Sequence, residues 1–226
     1  MNDKELLAIQ AARQVKDGMT VGLGTGSTAN FFIKELARRH REEGLRITAA
    51  SSSVASTLQA AEQGLPLVAL EHLGRIDLYV DGADEVTTKM ALLKGRGYDL
   101  VREKLLARNS DLFIVLVDKT KLVTRLGEKF PIPAEVIPFA WQMAKATLED
   151  LGASVTLRQN AAKDGWAITS HGSLVLDLQF KQQLDSAELN QLLNNVPGIV
   201  EHGVFDELAN AVFVADNGKV EEIWKN

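Results

Sequence analysis

The 226-residue chain has no cysteine, which excludes disulfides and thiolate-bound zinc and fits a reducing compartment. Histidine is sparse and scattered, at His40, His72, His171 and His202. Carboxylates and lysines must therefore carry most of any acid-base chemistry, and the expectation is catalysis without a metal. Apolar runs are short: Leu112–Val117 (LFIVLV) is among the longest aliphatic stretches and falls far below the roughly 20 residues of a membrane span. The opening MNDKELLAIQAARQVKDG reads as an amphipathic helix without the apolar centre of a signal peptide, so a cytoplasmic location with no membrane partner is expected. Positive charge is not in excess. With 25 Lys and Arg against 30 Asp and Glu, the net charge of -5 argues against nucleic acid as a partner while leaving room for a local basic pocket that takes one phosphate. Internal repeats and low-complexity tracts are absent, and 46% hydrophobic with 24% charged residues is globular rather than disordered composition.

What is present is an alternation. Through residue 118, the apolar runs MTVGLG, RITAA, LPLVAL, IDLYVDG and DLFIVLVD interleave with helical patterns near 27–43, 53–63 and 99–108, which predicts an α/β fold with a doubly wound, mostly parallel, Rossmann-like sheet. Three of the five prolines, Pro131, Pro133 and Pro138, fall in FPIPAEVIP, where fixed φ and missing donors suit a crossover between domains. Beyond it the order strand, helix, strand, strand, helix, strand predicts a smaller α+β domain of split βαβ, ferredoxin-like type. Asp216, Asn217 and Gly218 lie between two apolar runs and signal a hairpin that returns the tail to the first domain. The expected division is 1–129 plus 204–226 for the α/β catalytic domain and 130–203 for the small domain.

The strands of the first domain end in small or polar residues: GTGST, SSS, DGADE and DKTK. In open α/β sheets such strand ends face the ligand crevice. Gly22, Gly24, Gly26, Ser27 and Thr28 leave a strand and enter a helix, so their N–H groups and hydroxyls suit an anion, with phosphate the natural guest. Gly24, Gly26 and Ala29 also satisfy a loose dinucleotide pattern, but Ser51, Ser52 and Ser53 stand where that reading wants an acid for the ribose. Asp81 and Asp84 flank a turn through Gly82 and Ala83; capping of that turn by backbone N–H groups is the plain structural alternative for one of them. Together with Glu103 and Lys94 they make a general-base environment with a donor for a developing oxyanion. Lys94, Gly95, Arg96 and Gly97 form a loop able to approach a sugar, or simply a solvated turn. Glu103 lies in the helical pattern YDLVREKLLA, where an ordinary surface acid is the bland alternative, and Lys121 suits either a phosphate or solvent.

Read together and in order, GLGTGSTA, SSS, DGADEV, KGRG, REK and KFPIPAEVIP closely resemble the ribose-5-phosphate isomerase type A family over essentially the whole chain. The resemblance implies interconversion of ribose 5-phosphate and ribulose 5-phosphate in the non-oxidative pentose phosphate pathway, through an enediolate, without metal or organic cofactor. It implies Glu103 as the base that moves a proton between C2 and C1, with Asp81 in ring opening and hydroxyl proton transfer, Asp84 in positioning and Lys94 in oxyanion stabilisation. Thr25, Gly26, Ser27, Thr28 and Lys121 resemble the elements that hold substrate near its phosphate; Gly82, Ala83, Gly95, Arg96 and Gly97 would line the sugar. A homodimer or homotetramer is implied as well. The chain departs from the family where Arg96 replaces a third glycine and where Tyr98 and Asp99 replace small residues, and Lys4 has only a weak match at the N-terminus. Competing functions are a sugar-phosphate sensor, an amino-sugar phosphate isomerase-deaminase and an acyl-CoA transferase.

Overall fold

The computed structural model describes residues 2–225. In its first half the chain forms α1 (Asp3–Ala12), β1 (Thr20–Leu23), α2 (Ser27–Glu42), β2 (Thr48–Ser51), α3 (Val54–Glu62), β3 (Ile76–Gly82), β4 (Glu85–Thr87), β5 (Leu92–Leu93) and α4 (Leu100–Asn109). There follow β6 (Ser110–Asp118), β7 (Leu122–Val123), β8 (Ile132–Val136), α5 (Trp141–Asp150), β9 (Ala153–Leu157), β10 (Leu174–Phe180), α6 (Ser186–Asn194), β11 (Ile199–His202), β12 (Val204–Phe205), β13 (Ala211–Asp216) and β14 (Lys219–Trp224). Among the described residues no helix is long and apolar enough to cross a membrane.

Two compact units result, one made of residues up to Ala83, Arg102–Lys121 and Leu208 onward, the other of Asp84–Val101 and Leu122–Glu207. The first holds a six-stranded sheet in the order β14-β13-β6-β3-β1-β2, parallel except for the β13–β14 hairpin. Its central strands are buried on both faces, as their continuous apolar runs require. Helix starts follow local chemistry: Asn2 and Glu5 form a capping box at α1, and the Ser53 side chain caps α3. Asn217 and Gly218 take positive φ at the β13–β14 turn, so the predicted hairpin is present and completes this sheet.

The second unit contains the antiparallel order β11-β8-β10-β9, with β8 and β9 separated by β10 as a split βαβ predicts. It also contains a small sheet, β12-β5-β4-β7, whose two- and three-residue strands the sequence patterns do not signal. That sheet draws 84–101 and 122–129 into the second unit, away from the division at 129 that the prolines suggest. A second difference is LPLVAL, expected as a strand. It contributes only an isolated bridge from Leu67 to Ala49 before a 3-10 turn at Leu70–His72, because Pro66 lacks the N–H that a continued ladder needs.

Candidate active site

In the first unit the ends of β1, β2 and β3 are joined by hydrogen bonds between side chains and backbone. Gly24 packs so tightly on Asp81 that a Cβ there would lie 2.2 Å from Asp81 Oδ1. The Thr25 N–H donates to Asp81 Oδ1 at 3.0 Å and the Gly82 N–H donates to the same oxygen at 2.7 Å. The turn-capping role expected for one of the two aspartates is thus real at Asp81. The other oxygen, Oδ2, accepts from the Tyr79 hydroxyl at 2.5 Å. Thr25 Oγ1 donates to Ser53 Oγ at 2.7 Å and lies 2.9 Å from Ser52 Oγ, while Ser56 Oγ donates to the Gly24 carbonyl at 2.6 Å.

Gly26 is the residue before α2, with φ 110°, and no side chain caps that helix. Ser27, exposed, and Thr28, half-buried, open its first turn, so the positive end of the helix is presented among hydroxyls and backbone N–H groups. Lys4 Nζ donates to Ser27 Oγ at 2.8 Å; the weak sequence signal at Lys4 therefore marks a cation at this turn. Lys121 closes the short 3-10 turn after β6 and is partly buried. Glu103, on the first turns of α4, is only 6% exposed, which sets aside the surface-acid alternative. Burial pushes the Tyr79 phenol well above its ordinary range, the charges of Asp81 and Glu103 add to the shift, and the Ser52 hydroxyl opposes it.

In the second unit the basic loop is held mainly by its backbone. The Lys94 N–H donates to the Gly203 carbonyl at 2.9 Å, and a Cβ on Gly203 would meet the Lys94 carbonyl at 2.3 Å. Gly95 has φ 95°, a conformation that favours glycine, and its carbonyl accepts from Arg158 Nη1 at 3.1 Å. Arg158 is itself fixed by an ion pair with Asp177. Lys94 is 4% exposed, its ammonium 5.8 Å from the Phe205 ring centre, so it is not part of a solvated turn. Arg96 and Gly97 are exposed; the Arg96 guanidinium lies 4.2 Å over the Phe130 ring and 4.0 Å from Asp84 Oδ1.

Two acids of this unit serve structure. Glu85, the last acid of DGADE, accepts from the N–H groups of Gly127, Lys129 and Phe130 at 2.7, 2.6 and 2.8 Å and so organises the turn before the proline-rich crossover. Glu135 is buried in β8; desolvation raises its carboxyl above the ordinary range, although hydrogen bonds from Thr169 and the Val101 N–H offset part of that shift. The structure thus brings together Gly24, Thr25, Ser52, Ser53, Ser56, Tyr79 and Asp81 in one unit, and Asp84, Arg96 and Phe130 in the other. Sequence reasoning missed Tyr79, whose apolar strand context gave no polar signal.

Comparison with known proteins adds an independent line. The sequence model for ribose 5-phosphate isomerase A (phosphoriboisomerase A) matches residues 48–219. The chain is 46% identical over 213 residues to ribose-5-phosphate isomerase A of Methanothermobacter thermautotrophicus, covering 94% of this chain and 93% of the relative. It is equally 46% identical over 220 residues to the Gloeobacter violaceus protein of that name, covering 96% and 94%. Among solved structures, ribose 5-phosphate isomerase A from Methanocaldococcus jannaschii aligns with a TM-score of 0.93 at 41% identity, over 99% of this chain and 98% of the other. A D-ribose-5-phosphate isomerase in complex with phospho-erythronic acid aligns with a TM-score of 0.95 at 37% identity, over the full length of both chains.

Proposed function

Since the chain belongs to the ribose 5-phosphate isomerase A family, we propose that it interconverts D-ribose 5-phosphate and D-ribulose 5-phosphate through an enediolate, as an aldose-ketose isomerase of the pentose phosphate pathway. The observation that carries this reading is the full-length likeness to a relative holding phospho-erythronic acid, a phosphorylated acid whose carboxylate resembles an enediolate in charge and planarity.

Glu103 takes the proton from C2 of the open-chain aldose and returns it to C1; its burial at 6% exposure supports that role, because it holds the carboxylate away from bulk solvent. Lys94, at 4% exposure, neutralises the negative charge that develops on the C1 and C2 oxygens. Asp81 opens the furanose and moves hydroxyl protons, and Asp84 positions the sugar. The phosphate sits at the turn of Thr25, Gly26, Ser27 and Thr28, where the start of α2 and the Lys4 ammonium at Ser27 supply positive potential. Lys121 adds a further cation, while the backbone of Gly82, Ala83, Gly95 and Gly97 and the side chain of Arg96 line the sugar. None of these steps calls for a metal or organic cofactor.

Proton NMR of the purified protein with ribose 5-phosphate in D₂O containing a chelator tests the reading: ribulose 5-phosphate should form with solvent deuterium at C1. Glu103→Gln should lower kcat by roughly 10³-fold. Absence of conversion sinks the reaction; near-normal turnover of the variant removes Glu103 as the base while leaving the reaction standing.

A cytoplasmic homodimer, or a homotetramer built from it, is the assembly we infer. Phe139 and Met143, 87% and 78% exposed on neighbouring segments of the second unit, support it as apolar surface of the kind that a second copy covers. Sedimentation at micromolar protein should give twice or four times the chain mass of 24.7 kDa; a single monomeric species would remove the proposal.

A further inference from the structure

Tyr79 is the largest fully buried side chain among the described residues, with no exposed surface, and it stands on β3 two residues before Asp81. A tyrosine in that place needs a reason, since a phenylalanine would fill the same volume without burying a hydroxyl. Its ring is clamped on two sides. Phe113 of β6 stacks on it at 4.8 Å between ring centres, and Gly22 of β1 lies so close that a Cβ there would come within 2.8 Å of Tyr79 Cδ2. With the ring held in place, the hydroxyl donates to Asp81 Oδ2 at 2.5 Å.

Asp81 is thereby gripped from two sides, by the phenol on Oδ2 and by the N–H groups of Thr25 and Gly82 on Oδ1. Thr25 belongs to the loop assigned to the phosphate, and its hydroxyl joins the buried Ser52, Ser53 and Ser56. Ser52, with no exposed surface, adjoins the phenol as well and acts on its titration. A chain of hydroxyl contacts therefore runs from the phosphate loop through Ser52 and Tyr79 to Asp81.

We infer that Tyr79 is a positioning residue for the isomerisation: it fixes the orientation of Asp81 and ties that carboxylate to the phosphate loop through Ser52 and Thr25. The inference rests on the role assigned to Asp81 in the proposed function. A donor that stays protonated over the working pH range is required, and burial of the phenol, reinforced by the charges of Asp81 and Glu103, meets that requirement. Asp81 and Glu103 are charged groups that bear on the phenol, and Gly22 of β1, Phe113 of β6 and Ser52 after β2 are neutral neighbours of it. Loss of a hydrogen bond to a carboxylate makes that carboxylate a stronger base and lets it rotate.

The test is a pair of changes that push in opposite directions. Tyr79→Phe should lower kcat by roughly tenfold or more, leave KM within about threefold, and move the acid limb of the kcat profile to higher pH. In an Asp81→Asn background the same substitution should cost little further, because the phenol acts through Asp81. The chain has only two tyrosines, so in a Tyr98→Phe background biosynthetic 3-fluorotyrosine labels Tyr79 alone. Its more acidic phenol donates more strongly, and the acid limb should move to lower pH relative to unlabelled Tyr98→Phe protein. This second arm keeps ring and packing, and so applies even where Tyr79→Phe fails to fold. Turnover of Tyr79→Phe within twofold of the parent, equal losses in both backgrounds, or no movement of the limb on fluorination would each overturn the inference. Were Asp81→Asn itself to turn over normally, the assignment of Asp81 would fall and this inference with it, a result distinct from failure of Tyr79→Phe alone.

Discussion

The two units hold their candidate site residues in different ways. Around Asp81 the first unit interlocks side chains: Gly24 leaves no space, Tyr79 and Thr25 supply donors, and three serines close the network. The second unit holds its loop by main chain, through Gly203, the left-handed Gly95 and the Arg158 contact to the Gly95 carbonyl, and then presents Arg96 to solvent at 54% side-chain exposure. An interlocked pocket fixes one geometry and tolerates little change. A backbone-held loop with an exposed tip keeps Lys94 buried while Arg96, two positions on, is open to change.

The sharpest way to break that contrast is Gly24→Ala. The added methyl would lie 2.2 Å from Asp81 Oδ1 and 2.6 Å from its Cα, distances that force either the carboxylate or the loop after β1 to shift by about 1 Å, a displacement able to cost on the order of 100-fold in rate. Steady-state kinetics together with a thermal melt should show kcat falling by that order in a protein that still folds. Parent-like turnover would mean that the first unit is not interlocked and that the contrast is false.

Much of this arrangement is legible in the sequence because it rests on spacing. Apolar runs separated by helical patterns encode the parallel sheet, and the glycines and acid that close β1 and β3 mark strand ends that the structure brings into contact. Asn217 and Gly218 encode their hairpin through the positive φ that both adopt. What escapes is contact across strands. Tyr79 reads as one more apolar residue of IDLYVDG until Gly22 and Phe113 are seen to clamp it. Glu85 closes the DGADE run, and its carboxylate is consumed by three backbone N–H groups more than forty positions away. The strands at 85–87, 92–93, 122–123 and 204–205 are too short to show a period, so the sheet that draws 84–101 into the second unit leaves no pattern to find.

A smaller effect sharpens the contrast from the other side. Arg96→Gly removes a guanidinium that stacks on Phe130 and lies 4.0 Å from Asp84. Both contacts are solvent-exposed at the Arg96 end, and exposed ion pairs and cation–π contacts contribute about 1 kcal/mol or less each. With Lys94 still held through Gly203, kcat should stay within about threefold, while KM for ribose 5-phosphate should rise about two- to fivefold as Asp84 loses its neighbouring cation. Arg96→Lys should recover part of the KM change but not the stacking on Phe130. Parallel KM measurements on other pentose phosphates would show whether Arg96 discriminates among sugars or acts on all of them alike. A loss of kcat rivalling that of Gly24→Ala would mean that the exposed tip takes part in the chemistry, and the two units would then differ in architecture without differing in tolerance.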